Sequence, residues 1–235
     1  VKRLSLVLGL VISAILAYAV PPDMKIERLG LALITSQKVQ KEIKLTPSQK
    51  SSITAEFKDY LAQAKNLLKD VKSEEEQKRK VKQIRTIQDG VSRRVLAMLQ
   101  PSQTLRFRQI ILQSNGIWSV LVPEITRTLK LTPSQVKKIG ALEKGLQKSM
   151  MSLESKRQKQ IGQIPQPKDP KDKAVVDAYK KKVVAEVKKF RAGDKRTLLA
   201  ADKVAQAKAL NVLSPSQQKS WKAMLGPKVS FIKKN

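Results

Sequence analysis

Four copies of one short phrase constrain the chain more than any other feature. Leu45-Thr46-Pro47-Ser48-Gln49 recurs letter for letter as Leu131-Thr132-Pro133-Ser134-Gln135, and the variants LQPSQ and LSPSQ stand at 99–103 and 213–217. Each copy is a helix-initiation cassette. The Thr or Ser hydroxyl can accept from a backbone N–H of the first turn. Pro suits the first helical position, and Gln three residues after the cap can reach back to it. In the copy at 99–103 Gln100 replaces the cap hydroxyl, so that start is expected to be weaker by about 1 kcal/mol. The leucine before each cap is placed to set how the chain enters the helix.

The surroundings of the cassettes repeat as well. Gly30, Lys44, Ile53, Ala55 and Lys58 align with Gly116, Lys130, Ile139, Ala141 and Lys144, each pair 86 residues apart. The chain therefore reads as a duplicated unit, 20–116 and 117–235, in which each copy opens on LTPSQ and closes on a weaker version. The second copy carries extra residues, and IPQPKDPKDK at 164–173, with three prolines, is the expected insertion, a turn or short linker between two long helices.

Apolar residues follow the cassettes in steps of three and four. One stripe runs through Ile53, Phe57, Tyr60, Leu61, Ala64, Leu68 and Val71. Ser73 then caps a new start with Glu74, Glu75 and Glu76 at its positive end, and Val81, Ile84, Val91, Val95 and Met98 continue inward. After Pro133 the inward set is Val136, Ile139, Leu142, Leu146, Met150 and Leu153. Asp169-Pro170 is expected to open a further helix with Val176, Tyr179, Val183, Val187 and Phe190 on one face. Another is expected to begin near Asp194, and Gly226-Pro227 stops the last. No stretch alternates with period two long enough for a strand. The expected fold is all-α, built of long antiparallel helical hairpins.

Composition removes much chemistry. With no His and no Cys there is no imidazole base, thiolate, zinc knuckle or disulfide. No Gly-rich nucleophile turn frames a Ser–Lys pair, and no oxygen-ligand loop is present, so neither enzyme, cofactor nor metal site is expected. Lys2 and Arg3, the apolar run Leu4 to Leu16 and Ala17-Tyr18-Ala19 read as a secretory signal peptide over 1–19, cut after Ala19. A membrane anchor over Leu4 to Val20 is the alternative, at the lower limit of length. A periplasmic or secreted location is expected.

The formal charge is +29, from 48 Lys and Arg against 19 Asp and Glu. Arg79, Lys80 and Lys82, and Lys180, Lys181 and Lys182, are dense basic clusters, with Lys188, Lys189 and Arg191 close behind. A surplus this large attracts anions. In an exported protein these are acidic polypeptides, anionic lipid or envelope polymer rather than a specific nucleic acid, for which no recognition motif is present.

The cassettes resemble the signature of the LTxxQ-motif family of extracytoplasmic helical proteins, which includes the Spy and CpxP periplasmic stress proteins. The resemblance rests on Leu45, Thr46 and Gln49, on Leu131, Thr132 and Gln135, and on the lead-ins Val39 to Leu45 and Ile125 to Leu131. It implies long helices forming a curved cradle, often in an antiparallel dimer. It also implies ATP-independent holding of unfolded clients on a basic and apolar surface, or inhibition of an envelope-stress sensor. Relatives that sense metals use His ligands, which this chain lacks. Four cassettes in one chain, where relatives carry two, lead us to expect a monomeric pseudo-dimer, with a homodimer as the other arrangement. Arg79, Lys80, Lys82, Lys180, Lys181 and Lys182 are the expected client-binding residues, and the six motif residues are expected to be structural. The competing expectation is a structural or adhesive protein that binds anionic envelope polymer or a membrane surface.

Overall fold

A computed structural model describes residues 26–69, 71, 73–164 and 172–231. The leader at 1–19, Asp169-Pro170 and most of the Pro-rich stretch lie outside the described residues. The fold is all-α. In chain order the helices are α1 (Ile26–Gly30), α2 (Gln37–Glu42), α3 (Pro47–Leu67), α4 (Glu74–Ala97), α5 (Pro101–Asn115), α6 (Pro123–Thr128), α7 (Pro133–Gly162), α8 (Lys173–Val212) and α9 (Pro215–Leu225). Tighter 3-10 turns occupy Leu31–Thr35 and Gly116–Leu121.

Contacts divide the chain into two compact units, one of residues 1–131 with 215–234 and one of 132–214. This differs from the repeat boundary after Gly116, and packing explains why. Ile117, Val120, Val122, Ile125 and Leu129 are buried, as are Ile34, Val39, Val95, Phe107 and Ile110 of the same unit. Cutting after Gly116 would split this core. The last helix also returns to it: α9 packs on α5, Trp221 is buried, and Gln113 Nε2 donates to the carbonyls of Leu225 at 2.7 Å and Pro227 at 2.8 Å.

Within the first unit the segment before α3 recurs before α7. α2 and α6 have the same length, and two residues past the end of each stands a residue with positive φ, Lys44 at 54° and Lys130 at 50°. The Leu45 N–H reaches Gln40 O at 2.9 Å and the Lys44 N–H reaches Lys41 O at 3.1 Å. Leu131 to Thr126 at 3.0 Å and Lys130 to Arg127 at 3.0 Å repeat the pair. These are Schellman closures, in which a left-handed residue folds the chain back over the last turn. The aligned glycines serve different ends. A Cβ on Gly30 would stand 2.0 Å from Ile111 Cγ1, so Gly30 permits close packing of α1 on α5. Gly116 has φ 62° and ψ −150°, a conformation open almost only to glycine.

α3 and α4 run antiparallel, with Arg94 donating to both carboxylate oxygens of Glu56 at 2.8–2.9 Å and Ile53, Ala64, Ile84, Val91 and Val95 buried. α7 and α8 make up the second unit and pack along each other. α8 is one helix of 40 residues, so the separate start expected near Asp194 does not occur. Neither Gly193 nor Asp194 breaks it, and Asp194 faces Arg157 of α7 at 3.9 Å. The helix is capped by Asp172, whose carboxylate accepts from Ala174 and Val175 at 2.7 and 3.2 Å.

A left-handed conformation costs a residue with a side chain about 1 kcal/mol that glycine does not pay. Lys130→Gly is therefore expected to raise unfolding free energy by about 0.5–1 kcal/mol. Lys130→Ala, which removes the charge but keeps the Cβ, should leave it nearly unchanged in the same urea titration.

Candidate functional site

The cassettes cap as expected and then do more. Thr46 Oγ1 accepts from the Gln49 N–H at 3.2 Å, and Gln49 Oε1 accepts from the Thr46 N–H at 2.9 Å. Thr132 and Gln135 repeat this at 3.2 and 3.0 Å. Gln49 also donates to Met98 O at 2.7 Å and to Gln103 Oε1 at 2.8 Å. Gln103 returns the arrangement, donating to Lys44 O at 3.0 Å and to Gln49 Oε1 at 3.1 Å. Gln103 Oε1 meanwhile accepts from the Gln100 N–H at 2.9 Å. Two side-chain amides thus pair head to tail, and each spends both donors and both acceptor positions. The helix start expected to be weak for want of a hydroxyl is tied to the first cassette by its glutamine.

Each glutamine of this clasp reaches the carbonyl five residues ahead of the other. The remaining two cassettes follow the same rule. In the second unit Gln135 donates to Val212 O at 2.9 Å. In the first, Gln217 donates to Lys130 O at 3.3 Å and Leu129 O at 3.2 Å. Leu45, Leu99 and Leu213 are buried beside their caps, and Leu131 is half-buried. The glutamines are the residues whose full role local reading missed, because their partners lie 49 to 88 positions away.

The expected basic residues fall into two groups, three on α4 in the first unit and three on α8 in the second. Arg79, Lys82, Lys181 and Lys182 are exposed. Lys180 is exposed beside Asp177 at 3.2 Å. Lys80, one of the expected client-binding residues, makes contacts within the first unit. It bonds Glu76 at 2.9 Å and donates to Lys69 O at 3.1 Å just beyond the end of α3, with its side chain only 17% exposed. That position favours a cation through the dipole of the preceding helix.

The α7–α8 pair leaves apolar side chains exposed. Gln135 with Val212 and Arg157 with Asp194 set an antiparallel register. By that register the end of α7 lies opposite the turn near Val187, and the first part of α8 runs roughly 20 Å past it at 1.5 Å per residue. Lys180, Lys181 and Lys182 sit on this projecting part. Among the described residues of the unit, only Ile139, Ile164, Ala209 and Leu213 are buried apolar residues. Met150, expected inward, is 48% exposed, and Met151 is 71% exposed; Val175, Val184 and Val204 are exposed too. Leu61 of α3, also expected inward, is exposed. Two helices alone cannot cover both flanks of the seam between them, so residues of the correct period still meet solvent. The other expected inward residues of α7 are half-buried apart from buried Ile139. On α8 Val176, Tyr179, Val183 and Val187 are half-buried, while the side chain of Phe190 lies outside the described ones.

Among the described residues no cluster of three or more Asp and Glu could hold a metal ion, and no helix is long and apolar enough to cross a membrane.

Two outcomes test this geometry. Gln49→Glu keeps an acceptor for the cap but sets a carboxylate against the carbonyl oxygens of Met98 and Gln103. We expect a loss of about 1–3 kcal/mol by denaturant titration, partly recovered at acid pH when the carboxylate gains a proton. On α7, burial raises the pKa of Glu143 above its ordinary value, with Lys144 opposing the shift. A raised acid pKa means the folded state binds the proton better, so this group begins to lower stability as the pH rises through the ordinary carboxylate range and does so in full above the folded-state pKa. Glu143→Gln should therefore stabilise at neutral pH, with the gain fading at pH below the ordinary carboxylate range.

No family model, curated protein or solved structure matches the chain.

Proposed function

We propose that the protein is an extracytoplasmic, Spy-like binding protein that holds unfolded or acidic polypeptides on the α7–α8 hairpin without ATP. The observation that carries this reading is an exposed apolar set, Met150 and Met151 on α7 and Val175, Val184 and Val204 on α8, the helix that also bears Lys180, Lys181 and Lys182. Over 132–214 there are 20 Lys and Arg against 8 Asp and Glu. Such a surface draws acidic segments from a distance and then covers apolar side chains at contact. Full burial of one Val or Met side chain contributes about 1.5–3 kcal/mol, so a few contacts suffice for reversible holding. No bond is made or broken, and release follows when a client buries its own apolar surface on folding.

The 86-residue recurrence supports a duplicated LTxxQ-type unit, and the leader read at 1–19 supports export. Together with the cassettes they support membership of the LTxxQ-motif group, whose envelope-stress accessories act in the same compartment. In a duplicated chain the paired cassettes do within one molecule what two chains do in a dimer, which favours a monomer.

Salt separates this reading from binding of anionic envelope polymer or membrane surface. Aggregation of a chemically denatured client should be suppressed at low salt, and in reduced but measurable degree at moderate salt, because the apolar part of the interaction is not screened. Met151→Glu with Val184→Glu should remove the salt-tolerant part in a light-scattering assay. Absence of protection in either buffer would overturn the proposal. Protection confined to low salt and abolished by a soluble polyanion would favour the polymer reading instead.

A further inference from the structure

The chain holds five Met and no Cys, so thioether sulfur is the softest nucleophile it offers to an electrophilic oxidant. Met150 and Met151 stand side by side on α7 at 48% and 71% exposure, whereas Met98 and Met224 are half-buried. Met150 lies about three turns beyond buried Ile139 and about two turns before Arg157, which faces Asp194 of α8. It therefore sits on the line of α7 turned toward its partner helix, and Met151 sits roughly a quarter turn away on the flank. The charged neighbours of Met151 one turn away on α7 are exposed Lys148 and half-buried Glu154, and Glu154 is already paired with Arg157. Over 132–214 basic residues outnumber acidic ones by 20 to 8. Both sulfurs are thus accessible and stand in a positive field, which raises the local concentration of small anions.

We propose that Met150 and Met151 form an oxidation site for hypochlorous acid, and that their conversion to sulfoxides switches off polypeptide holding by α7–α8. The switch rests on the holding reading; the modification site does not. Hypochlorite, the conjugate base, is the kind of small anion that a basic hairpin gathers. A lysine ammonium has donors but no lone pair, so it competes poorly for the electrophilic acid. The sulfur lone pair takes chlorine from hypochlorous acid and hydroxide departs. Water then forms the S–O bond as chloride leaves, releasing two protons, one of which neutralises the hydroxide. Sulfur loses two electrons and chlorine gains them, and the net products are sulfoxide, chloride and one proton. The change replaces a flexible apolar side chain by a polar one with a strong acceptor. A client packed against Met151 would then bury an oxygen without a donor, and the same oxygen at Met150 would oppose contact along α8. Sulfoxide is reducible to the thioether, so the switch is reversible.

The test treats the full chain with a few equivalents of hypochlorous acid, quenches with free methionine, and reads sulfoxides by peptide mass spectrometry. Met151 and Met150 are expected to oxidise ahead of Met98 and Met224. Equal oxidation of all four would overturn the site. The oxidised protein should hold a chemically denatured client at least about tenfold more weakly at moderate salt, since two apolar contacts are lost. Treatment with methionine sulfoxide reductases and dithiothreitol should restore holding. Met150→Leu with Met151→Leu keeps the surface apolar and alters only exposed positions, so this variant should fold, hold clients, and keep holding them after the oxidant. Met98→Leu with Met224→Leu should lose holding on oxidation as the unaltered chain does. Undiminished protection by protein that carries both sulfoxides, or an equal loss in the Met150–Met151 variant, would overturn the switch. Absence of protection before any oxidant is added would sink the holding reading and the switch with it, while the order of oxidation still decides the site.

Discussion

A helix that starts at a proline brings two unfinished things to one place: the backbone groups of its first turn and the carbonyls of the loop that leads into it. In this protein the glutamine three residues after the cap settles both at once. Its oxygen accepts from its own cap, and its amide nitrogen donates to a carbonyl just ahead of another cassette. Because the second cassette carries the same parts, Gln49 and Gln103 close on each other with every donor and acceptor used. A half-buried amide satisfied on all sides orders its surroundings, whereas one left half-satisfied would weaken them. Glutamate caps a helix as well as glutamine does, but it has no donor to offer. The clasp is thus a physical reason for Gln at positions where local capping alone would accept either residue.

Fixing helix starts also fixes where the long helices are strong. Gln49 closes the base of the α3–α4 hairpin at Met98, and Gln135 closes the base of the α7–α8 hairpin at Val212. In the first unit the hairpin has further layers beside it, and Val91 and Val95 disappear beneath them. The second unit has its own two helices and little else, so along them burial is sparse: Ile139 and Ala209 near the clasped base are covered, as is Ile164 just past the end of α7, whereas Met150 and Val204 are not. The same cassette thus opens a closed core in one unit and an open arm in the other, and the difference lies in what packs next to it.

Features written in a few adjacent residues were legible before any coordinates. The caps at Thr46, Ser73 and Thr132, the Pro starts and the stop at Gly226-Pro227 stand where local chemistry puts them. Features that need a distant partner were not. Glu27, Arg108 and Glu124 meet from three separate elements and follow no spacing rule. Asp194 resembles a helix start, yet α7 supplies Arg157 and the helix runs on. Lys80 looks like its neighbours in sequence but finds Glu76 and a helix-end carbonyl. Periodicity identified the faces of α3 and α7, but exposure at Leu61 and Met150 depends on whether a third layer is present.

The charge and the exposed apolar side chains account for each other. Apolar side chains left on a two-helix arm invite the arms of neighbouring molecules to pair, and a stretch such as Met150-Met151 would ordinarily be an aggregation hazard. An excess of Lys and Arg along the same helices makes two such arms repel, while their aliphatic stems still cover part of the apolar surface. Identical arms are discouraged from meeting, but an acidic or neutral polypeptide is not. The surplus of basic residues that first suggested a polyanion partner therefore has a second consequence. On the proposed reading of the hairpin as a polypeptide holder, it keeps the exposed apolar surface for clients rather than for other copies of the chain.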